Sequence, residues 1–279
     1  MVYLLFDVNN LCHRAFHTTG SLSHKGIVTG VLFGVFRDIL FLQELHQTEN
    51  IIFCFDSGES IRKSIYPAYK ANRKPPLTEK EAEAKETLYQ QIEKLRTKWL
   101  PALGYRNILQ DMGYEADDLI ASVCVDLHST DEAVVVSSDQ DLYQLLSGRV
   151  RIWNPHKKKT ITIQSFKKEY GIHPYHWPKV KAIAGCSSDN IKGIKGVGEK
   201  TAIKFHLGTL RGTKTWENIM EGNNQIEKNL RLTRLPLFQT PHFSFVKDEV
   251  TNDKWYEVLE KLGMKSLRKM LPVRKSLYS

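Results

Sequence analysis

The sequence predicts an α/β fold, a mostly parallel sheet flanked by helices, followed by a helical region. Short apolar runs alternate with helical patterns through the first half of the chain. Those runs close on acidic residues, as strands do where a ligand crevice forms at their carboxyl ends. From about residue 164 the pattern changes to short helices.

Taken in order, Tyr3 to Val8 reads as a strand, Val28 to Leu45 as a helix and Ile51 to Asp56 as a second strand. Ser60 to Pro76 breaks the rhythm with basic and aromatic residues: Arg62, Lys63, Tyr66, Tyr69, Lys70, Arg73 and Lys74. A helix follows from Thr78 to about Trp99, opened by a capping-box spacing of Thr78 and Glu81; its charges predict that it stands partly away from the core. A short strand after Gly104 reaches Ile108, a helix runs from Glu115 to Leu127, and Ala133 to Ser137 reads as a buried strand. Val150 to Trp153 and Thr160 to Ile163 are later strands or a hairpin around Asn154-Pro155. The predicted organisation is a core over residues 1–163, with residues 60–100 projecting, and a helical subdomain over 164–279 with a glycine hairpin at about 185–205.

A chain of 279 residues, 41% hydrophobic and 25% charged, buries a full core. Cys12, Cys54, Cys124 and Cys186 are too scattered for a zinc cage or a disulfide framework, which fits a reducing cytosol. Asp7 cuts the apolar start, and no run approaches the ~18 apolar residues of a membrane span, so a soluble, cytoplasmic protein is expected; oligomeric state is not readable from the sequence, and monomer is the default. The charge is uneven. Lys157 to Lys204 holds eleven lysines against Glu169, Asp189 and Glu199, nearly the whole excess of +9. Such a block suits a polyanion partner, or else a solvated lysine face; charge alone leaves both open.

The carboxylates carry the chemistry. Asp7 ends the first strand and Asp56 the second, and Asp139 and Asp141 follow the third buried strand. If still extended, Asp139 and Asp141 point the same way. Glu115, Asp117 and Asp118 open a helix, with Glu115 and Asp118 on one face. Singly, each is an ordinary turn or cap residue. Together they would repel and raise one another's pKa unless a cation neutralised them. Mg²⁺ or Mn²⁺ takes such oxygen ligands, and two ions ~3.5 to 4 Å apart activate water and stabilise a leaving oxygen in phosphoryl hydrolysis. A second anion-handling element is Ser188-Asp-Asn-Ile-Lys-Gly193-Ile-Lys-Gly196-Val-Gly198-Glu-Lys-Thr-Ala202, where glycines permit close backbone approach and Lys192, Lys195 and Lys200 surround them. Its spacing is not that of a dinucleotide-binding loop. Ser137 and Ser138 lack an obvious base partner, so a hydrolase triad is not expected.

Five motifs in order give the chain a family resemblance: Phe-Asp7; Phe-Asp56-Ser-Gly with Tyr66-Pro-Ala-Tyr-Lys70-Ala-Asn-Arg73; Tyr114-Glu-Ala-Asp-Asp118; Ser137-Ser-Asp-Gln-Asp141; and Ser188-Asp-Asn through Gly198-Glu-Lys-Thr-Ala202. From Val2 to about Leu207 the chain resembles the 5′-nuclease family, which includes stand-alone bacteriophage flap endonucleases and exonucleases and the 5′-nuclease domain of bacterial DNA polymerase I. The resemblance implies a PIN-like core, a helical arch and a helix-three-turn-helix element that grips duplex DNA, often with K⁺. It implies a first metal region of Asp7, Asp56, Glu115, Asp117 and Asp118, and a second of Asp139, Asp141 and Asp189. Lys70 and Arg73, spaced for one helix face, would be arch cations acting on the scissile phosphate. Tyr66 and Tyr69 would stack on a base or pack beneath the arch. Lys192, Lys195, Gly196, Gly198, Lys200 and Thr201 would contact DNA.

The expected activity is metal-dependent 5′-3′ exonuclease or flap endonuclease cleavage of DNA with a 5′ flap, nick or single-stranded 5′ end, in a bacterial cell or phage-encoded, with replication proteins as conceivable partners. One position departs from the family pattern Gly-Asp-x-Ser-Asp-Asn: this chain reads Gly185-Cys186-Ser187-Ser188-Asp189-Asn190. Cysteine is a poor Mg²⁺ ligand, so the second site is either weakened and Mn²⁺-dependent or simply carries an inert thiol. The rival readings are a DNA-structure-binding protein with weakened catalysis and a PIN-type ribonuclease, including one acting on RNA–DNA hybrids.

Overall fold

The computed structural model describes residues 1–73, 75 and 77–271; Lys74 of the basic segment and the tail 272–279 lie outside the described residues. Two compact units emerge, each assembled from separated stretches: Met1–Phe55, Pro76–Leu109 and Ser244–Ser279 in one, Asp56–Pro75 and Gln110–Phe243 in the other.

In the first unit the strand Val2–Asp7 pairs in parallel with Asn50–Cys54, which pairs in parallel with Ile108–Leu109. Leu4, Leu5, Phe6, Ile51, Ile52 and Phe53 are all buried, the near-continuous apolar run expected of parallel strands covered by helices. The chain passes from Asp7 directly into a helix, Val8–Thr19, where the Asp7 carboxylate caps by accepting from Asn10 N at 3.2 Å. Its buried residues Val8, Leu11, Cys12 and Ala15 fall at helical spacing. The helix Gly30–His46 packs on it so closely that a Cβ on Gly34 would lie 2.6 Å from that of Ala15. The helix Glu79–Lys94 is capped by Thr78, whose hydroxyl accepts from Glu81 N at 3.2 Å. Only its later turns are buried, at Leu88, Gln91 and Ile92, and it continues as a π-helical turn over Leu95–Trp99. Near the C-terminus the helix Asn252–Lys261 sets Trp255 edge-on against Phe36, with ring centroids 5.3 Å apart. Beyond it a 3₁₀ turn, Lys265–Met270, is anchored by buried Leu267 and Leu271.

The second unit pairs Glu132–Val136 in parallel with Val150–Asn154, and Val150–Asn154 with Lys159–Ile161 as an antiparallel hairpin. The helix Ala116–Asp126 opens on Glu115. After residue 162 come the helices Ile163–Tyr170, Trp177–Ala184, Glu199–His206, Lys214–Glu221 and Asn223–Thr233. A two-residue hairpin, Gly185–Cys186 with Ile191–Lys192, lies between the second and third of these. Buried Asn229 ties the last helix to the hairpin, its amide donating to Ala182 O at 2.8 Å and Lys192 O at 2.9 Å. The rings of Tyr143, Phe166, Tyr170 and Trp177 form the local core, with centroids 4.7 Å apart for Phe166 and Tyr170.

Candidate metal and phosphodiester site

Seven of the eight predicted carboxylates lie in the second unit, on four segments: Asp56; Glu115, Asp117 and Asp118; Asp139 and Asp141; and Asp189. Asp7 belongs to the first unit, where it is 7% exposed. Asp56 Oδ1 accepts from Ala116 N at 2.8 Å, at the start of the helix Ala116–Asp126. Burial holds the Asp56 carboxyl above its ordinary range, partly offset by that hydrogen bond.

Glu115 is the hub. Its Oε2 accepts from Lys70 Nζ at 2.6 Å and from the Tyr69 hydroxyl at 3.0 Å. Burial opposes ionisation of Glu115, but Lys70 and Arg62 outweigh it and keep its pKa below the usual value. Lys70 Nζ also lies 3.9 Å from Asp189 Oδ1, and Arg73 Nη2 lies 3.5 Å from the same oxygen. One ammonium therefore reaches carboxylates of both predicted metal regions. The connection extends to the backbone: Lys70 N donates to Asp189 O at 2.9 Å, Asn190 Nδ2 to Ala68 O at 2.7 Å and Asn72 Nδ2 to Ser187 O at 2.6 Å.

Asp117 and Asp118 are neighbours with opposite circumstances. Asp118 is 0% exposed and fully engaged: Arg62 Nη1 and Nη2 donate to it at 2.5 and 2.8 Å, Leu237 N at 2.9 Å and Glu115 N at 3.2 Å. Asp117 Oδ1 is buried with no hydrogen-bond partner. Burial and the adjacent Asp118 push the Asp117 carboxyl well above its ordinary pKa, against the pull of Arg62. An orphaned buried carboxylate oxygen is costly unless a cation meets it.

The third strand delivers Asp139 and Asp141 through a tight turn. Asp141 N donates to Asp139 Oδ1 at 2.8 Å, and Trp177 Nε1 holds the intervening Gln140 carbonyl at 2.7 Å. Desolvation by the packed turn and the charge of Asp141 push the Asp139 carboxyl up to about 6, although the residue as a whole is exposed. Lys181 Nζ lies 3.0 Å from Asp141 Oδ1. Single oxygens of Asp141 and Asp189 and the Cys186 sulfur all lie within 4.8 Å of one another. All-oxygen donors in the first group and a mixed sulfur–oxygen set in the second fit divalent cations, and the orphaned Asp117 oxygen and the raised acids show charge left uncompensated without them.

Residues 2–171, more than half of the chain, match the family described as 5'-3' exonuclease, N-terminal resolvase-like domain. The chain belongs to the 5'-3' exonuclease family. It is 31% identical over 229 residues to the 5'-3' exonuclease of Buchnera aphidicola, covering 81% of this chain and 74% of that one, and 32% identical over 235 residues to that of Bacillus subtilis, covering 81% and 75%. It is 30% identical to DNA polymerase I of Caldicellulosiruptor bescii across 97% of this chain, and spans about a third of that relative's length, 33%. Its fold is similar to that of the bacteriophage T5 5'-exonuclease with bound zinc, with a TM-score of 0.72 at 20% identity over 97% of this chain and 100% of that one.

Within this exonuclease-family chain the structure revises several sequence expectations. Lys70 and Arg73 do not share a helix face: residues 67–72 form turns, and Lys70 has φ +55°. Their proximity comes from the backbone bonds to Ser187 and Asp189. Asp139 and Asp141 are not extended, since Asp141 begins a 3₁₀ turn. Tyr69 is 3% exposed, with its hydroxyl donating to Glu115 Oε2 at 3.0 Å. Tyr66 is half-buried against the cluster of Tyr69, Ile191 and Leu232. Lys192, Lys195, Gly196, Gly198 and Lys200 are exposed and Thr201 is half-buried; Gly196 takes φ +76°, and a Cβ at Gly196 or Gly198 would meet nothing within 4 Å. Arg62 and Lys181 were not singled out as site residues, because nothing in the sequence pairs Arg62 with Asp118 across 56 positions.

Proposed function

We propose that this chain hydrolyses phosphodiesters in DNA as a 5′-3′ exonuclease or flap endonuclease, cutting near a junction between single strand and duplex. The observation that carries the reading is the carboxylate cluster around Glu115, with Asp117 Oδ1 buried and unpartnered beside it. Asp56, Glu115 and Asp117 would hold one divalent ion, and Asp139, Asp141 and Asp189 would contribute to a second. When bound, Mg²⁺ or Mn²⁺ lowers the pKa of water and neutralises charge on the phosphate.

The chain's own groups supply position and electrostatics. Lys70, freed from Glu115 as other positive charge arrives, would place its ammonium against a phosphate oxygen, and Arg73, 62% exposed, would meet the same phosphate from the solvent side. Tyr69 holds Glu115 in orientation through its hydroxyl. Exposed Lys192, Lys195 and Lys200 around Gly196 and Gly198 would hold the duplex backbone, with K⁺ a further candidate occupant there. Phosphate contacts of this kind carry no sequence information, so discrimination would be by DNA shape.

The test is a panel of 5′-labelled substrates, flap duplex, nicked duplex, blunt duplex and RNA–DNA hybrid, each with Mg²⁺, Mn²⁺ or EDTA. The expected result is metal-dependent cutting near the flap junction, absent in EDTA. Tight flap binding without cutting under any metal would instead support a DNA-structure-binding protein, and preference for the hybrid would support a ribonuclease.

A further inference from the structure

We infer that Asp141, Cys186 and Asp189 form a mixed thiolate–carboxylate cation site that takes a borderline divalent ion such as Mn²⁺, Co²⁺ or Zn²⁺ in preference to Mg²⁺. The inference deepens the proposed function and rests on it only in assuming that a metal enters this cluster.

Two separately anchored segments, the hairpin that carries Cys186 and Asp189 and the turn that carries Asp141, bring the donors together. Cys186 stands on the hairpin strand Gly185–Cys186, opposite Ile191. That hairpin tolerates no side chain at its pivot: Gly185 takes φ +77°, a Cβ there would lie 2.3 Å from Gly193 N, and one on Gly193 would lie 2.2 Å from the Ala184 carbonyl carbon. Asp189 is fixed by its own carbonyl, which accepts from Lys70 N at 2.9 Å. Asp141 follows the Gln140 carbonyl pinned by Trp177. The Cys186 sulfur lies 3.0 Å from Ser188 Oγ and 3.5 Å from Asp189 Oδ2. Cys12, Cys54 and Cys124 are buried, whereas Cys186 is only half-buried and faces a carboxylate.

The donor set decides the metal. Mg²⁺ demands near-octahedral oxygen coordination and gains little from sulfur, whereas borderline and softer ions bind thiolate well. As the sulfur–metal bond forms, the thiol proton passes to solvent. Three negative donors then face the dication, with the Lys181 ammonium 3.0 Å from Asp141 and Lys70 and Arg73 3.9 and 3.5 Å from Asp189. A hard ion that leaves the thiol protonated is held by the two carboxylates alone against these cationic side chains.

The test is anaerobic titration of the full chain with Co²⁺, without DNA, followed by near-ultraviolet absorption. The expected result is a sulfur-to-cobalt charge-transfer band that saturates with the Co²⁺ bound at this cluster, disappears in Cys186→Ser and Cys186→Asp, and weakens in Asp189→Asn. Calorimetric Mg²⁺ titration should show at least about tenfold tighter binding in Cys186→Asp than in the natural chain. Thermal scans of each variant confirm folding. An identical cobalt spectrum in Cys186→Ser, or equal Mg²⁺ affinity with Cys and Asp at this position, overturns the inference. Because the band is read without substrate, a band without DNA cleavage contradicts the proposed function alone, and cleavage without a band contradicts this site alone.

Discussion

Asp117 and Asp118 are adjacent, chemically identical and assigned by family resemblance to the same metal region, yet their surroundings predict opposite responses to removal of charge. Asp118→Asn would remove the bidentate partner of the buried Arg62 guanidinium, leaving Glu115 Oε2 at 3.9 Å as its nearest ion-pair partner, and would lose one of two charge-assisted hydrogen bonds at 2.5 and 2.8 Å. Removing one partner of a buried ion pair costs about 3–5 kcal/mol, and at ~2–4 °C per kcal/mol for a chain of this size Tm should fall by roughly 10 °C. Asp117→Asn removes a charge that burial and Asp118 already disfavour, on a group whose Oδ1 has no partner. It should leave the metal-free protein as stable as before or more so. Differential scanning calorimetry in EDTA measures both variants, and Mn²⁺ titration then asks which one still binds. The account requires Asp118→Asn to be the unstable variant and Asp117→Asn the one that loses metal. A stable Asp118→Asn that no longer binds Mn²⁺ would refute it and make Asp118 a ligand.

Three further outcomes follow. Gly185→Ala places a Cβ 2.3 Å from a backbone nitrogen at φ +77°, so it should destabilise by about 2–4 kcal/mol in chemical denaturation; unchanged stability would mean that the hairpin is loose. Tyr69→Phe should lower kcat about three- to tenfold with KM for a flap substrate unchanged, since the hydroxyl orients Glu115; an unchanged kcat would contradict that role. Asp139, with a pKa of about 6 before metal binds, is mostly ionised at pH 7.5 and mostly protonated at pH 5.5. Its protonation should weaken Mn²⁺ binding by about fourfold over that interval. The same raised pKa means that this group favours the metal-free fold at low pH and that its contribution is lost as pH rises through about 6, so the difference in Tm between Mn²⁺ and EDTA should widen with pH; a gap that narrows would contradict the assignment.

The strands were legible because parallel strands covered on both faces read as apolar runs, and Leu4-Leu5-Phe6 and Ile51-Ile52-Phe53 are such runs. The helix Val8–Thr19 was also written in the sequence, at Val8, Leu11, Cys12 and Ala15, but polar Asn9, Asn10, His13 and Arg14 lie between those residues and mask the pattern. Asp56, Glu115, Asp117, Asp118, Asp139 and Asp141 stood out by their strand-end and helix-start positions, and Asp189 only through the family resemblance. What each does was not visible, because it depends on residues far along the chain: Asp118 is claimed by Arg62 and by Leu237 N, 119 positions away, while Asp117 is claimed by neither. Spacing likewise suggested a helix for Lys70 and Arg73, yet long-range bonds to Ser187, Asp189 and Asn190 shape that segment into turns. Tertiary hydrogen bonds override local periodicity wherever the local helical signal is only a few residues long.

If the carboxylates around Glu115 hold the metal that cleaves DNA, cutting must depend on them directly. The decisive measurement is the rate of cutting at the junction of a 5′-labelled flap duplex as Mn²⁺ is titrated, for the natural chain and for Asp117→Asn confirmed as folded. The account predicts saturable, EDTA-reversible cleavage by the natural chain and a loss of at least about a hundredfold in Asp117→Asn at any Mn²⁺ concentration. Equal cleavage by the two, or cleavage that persists in EDTA, would contradict it.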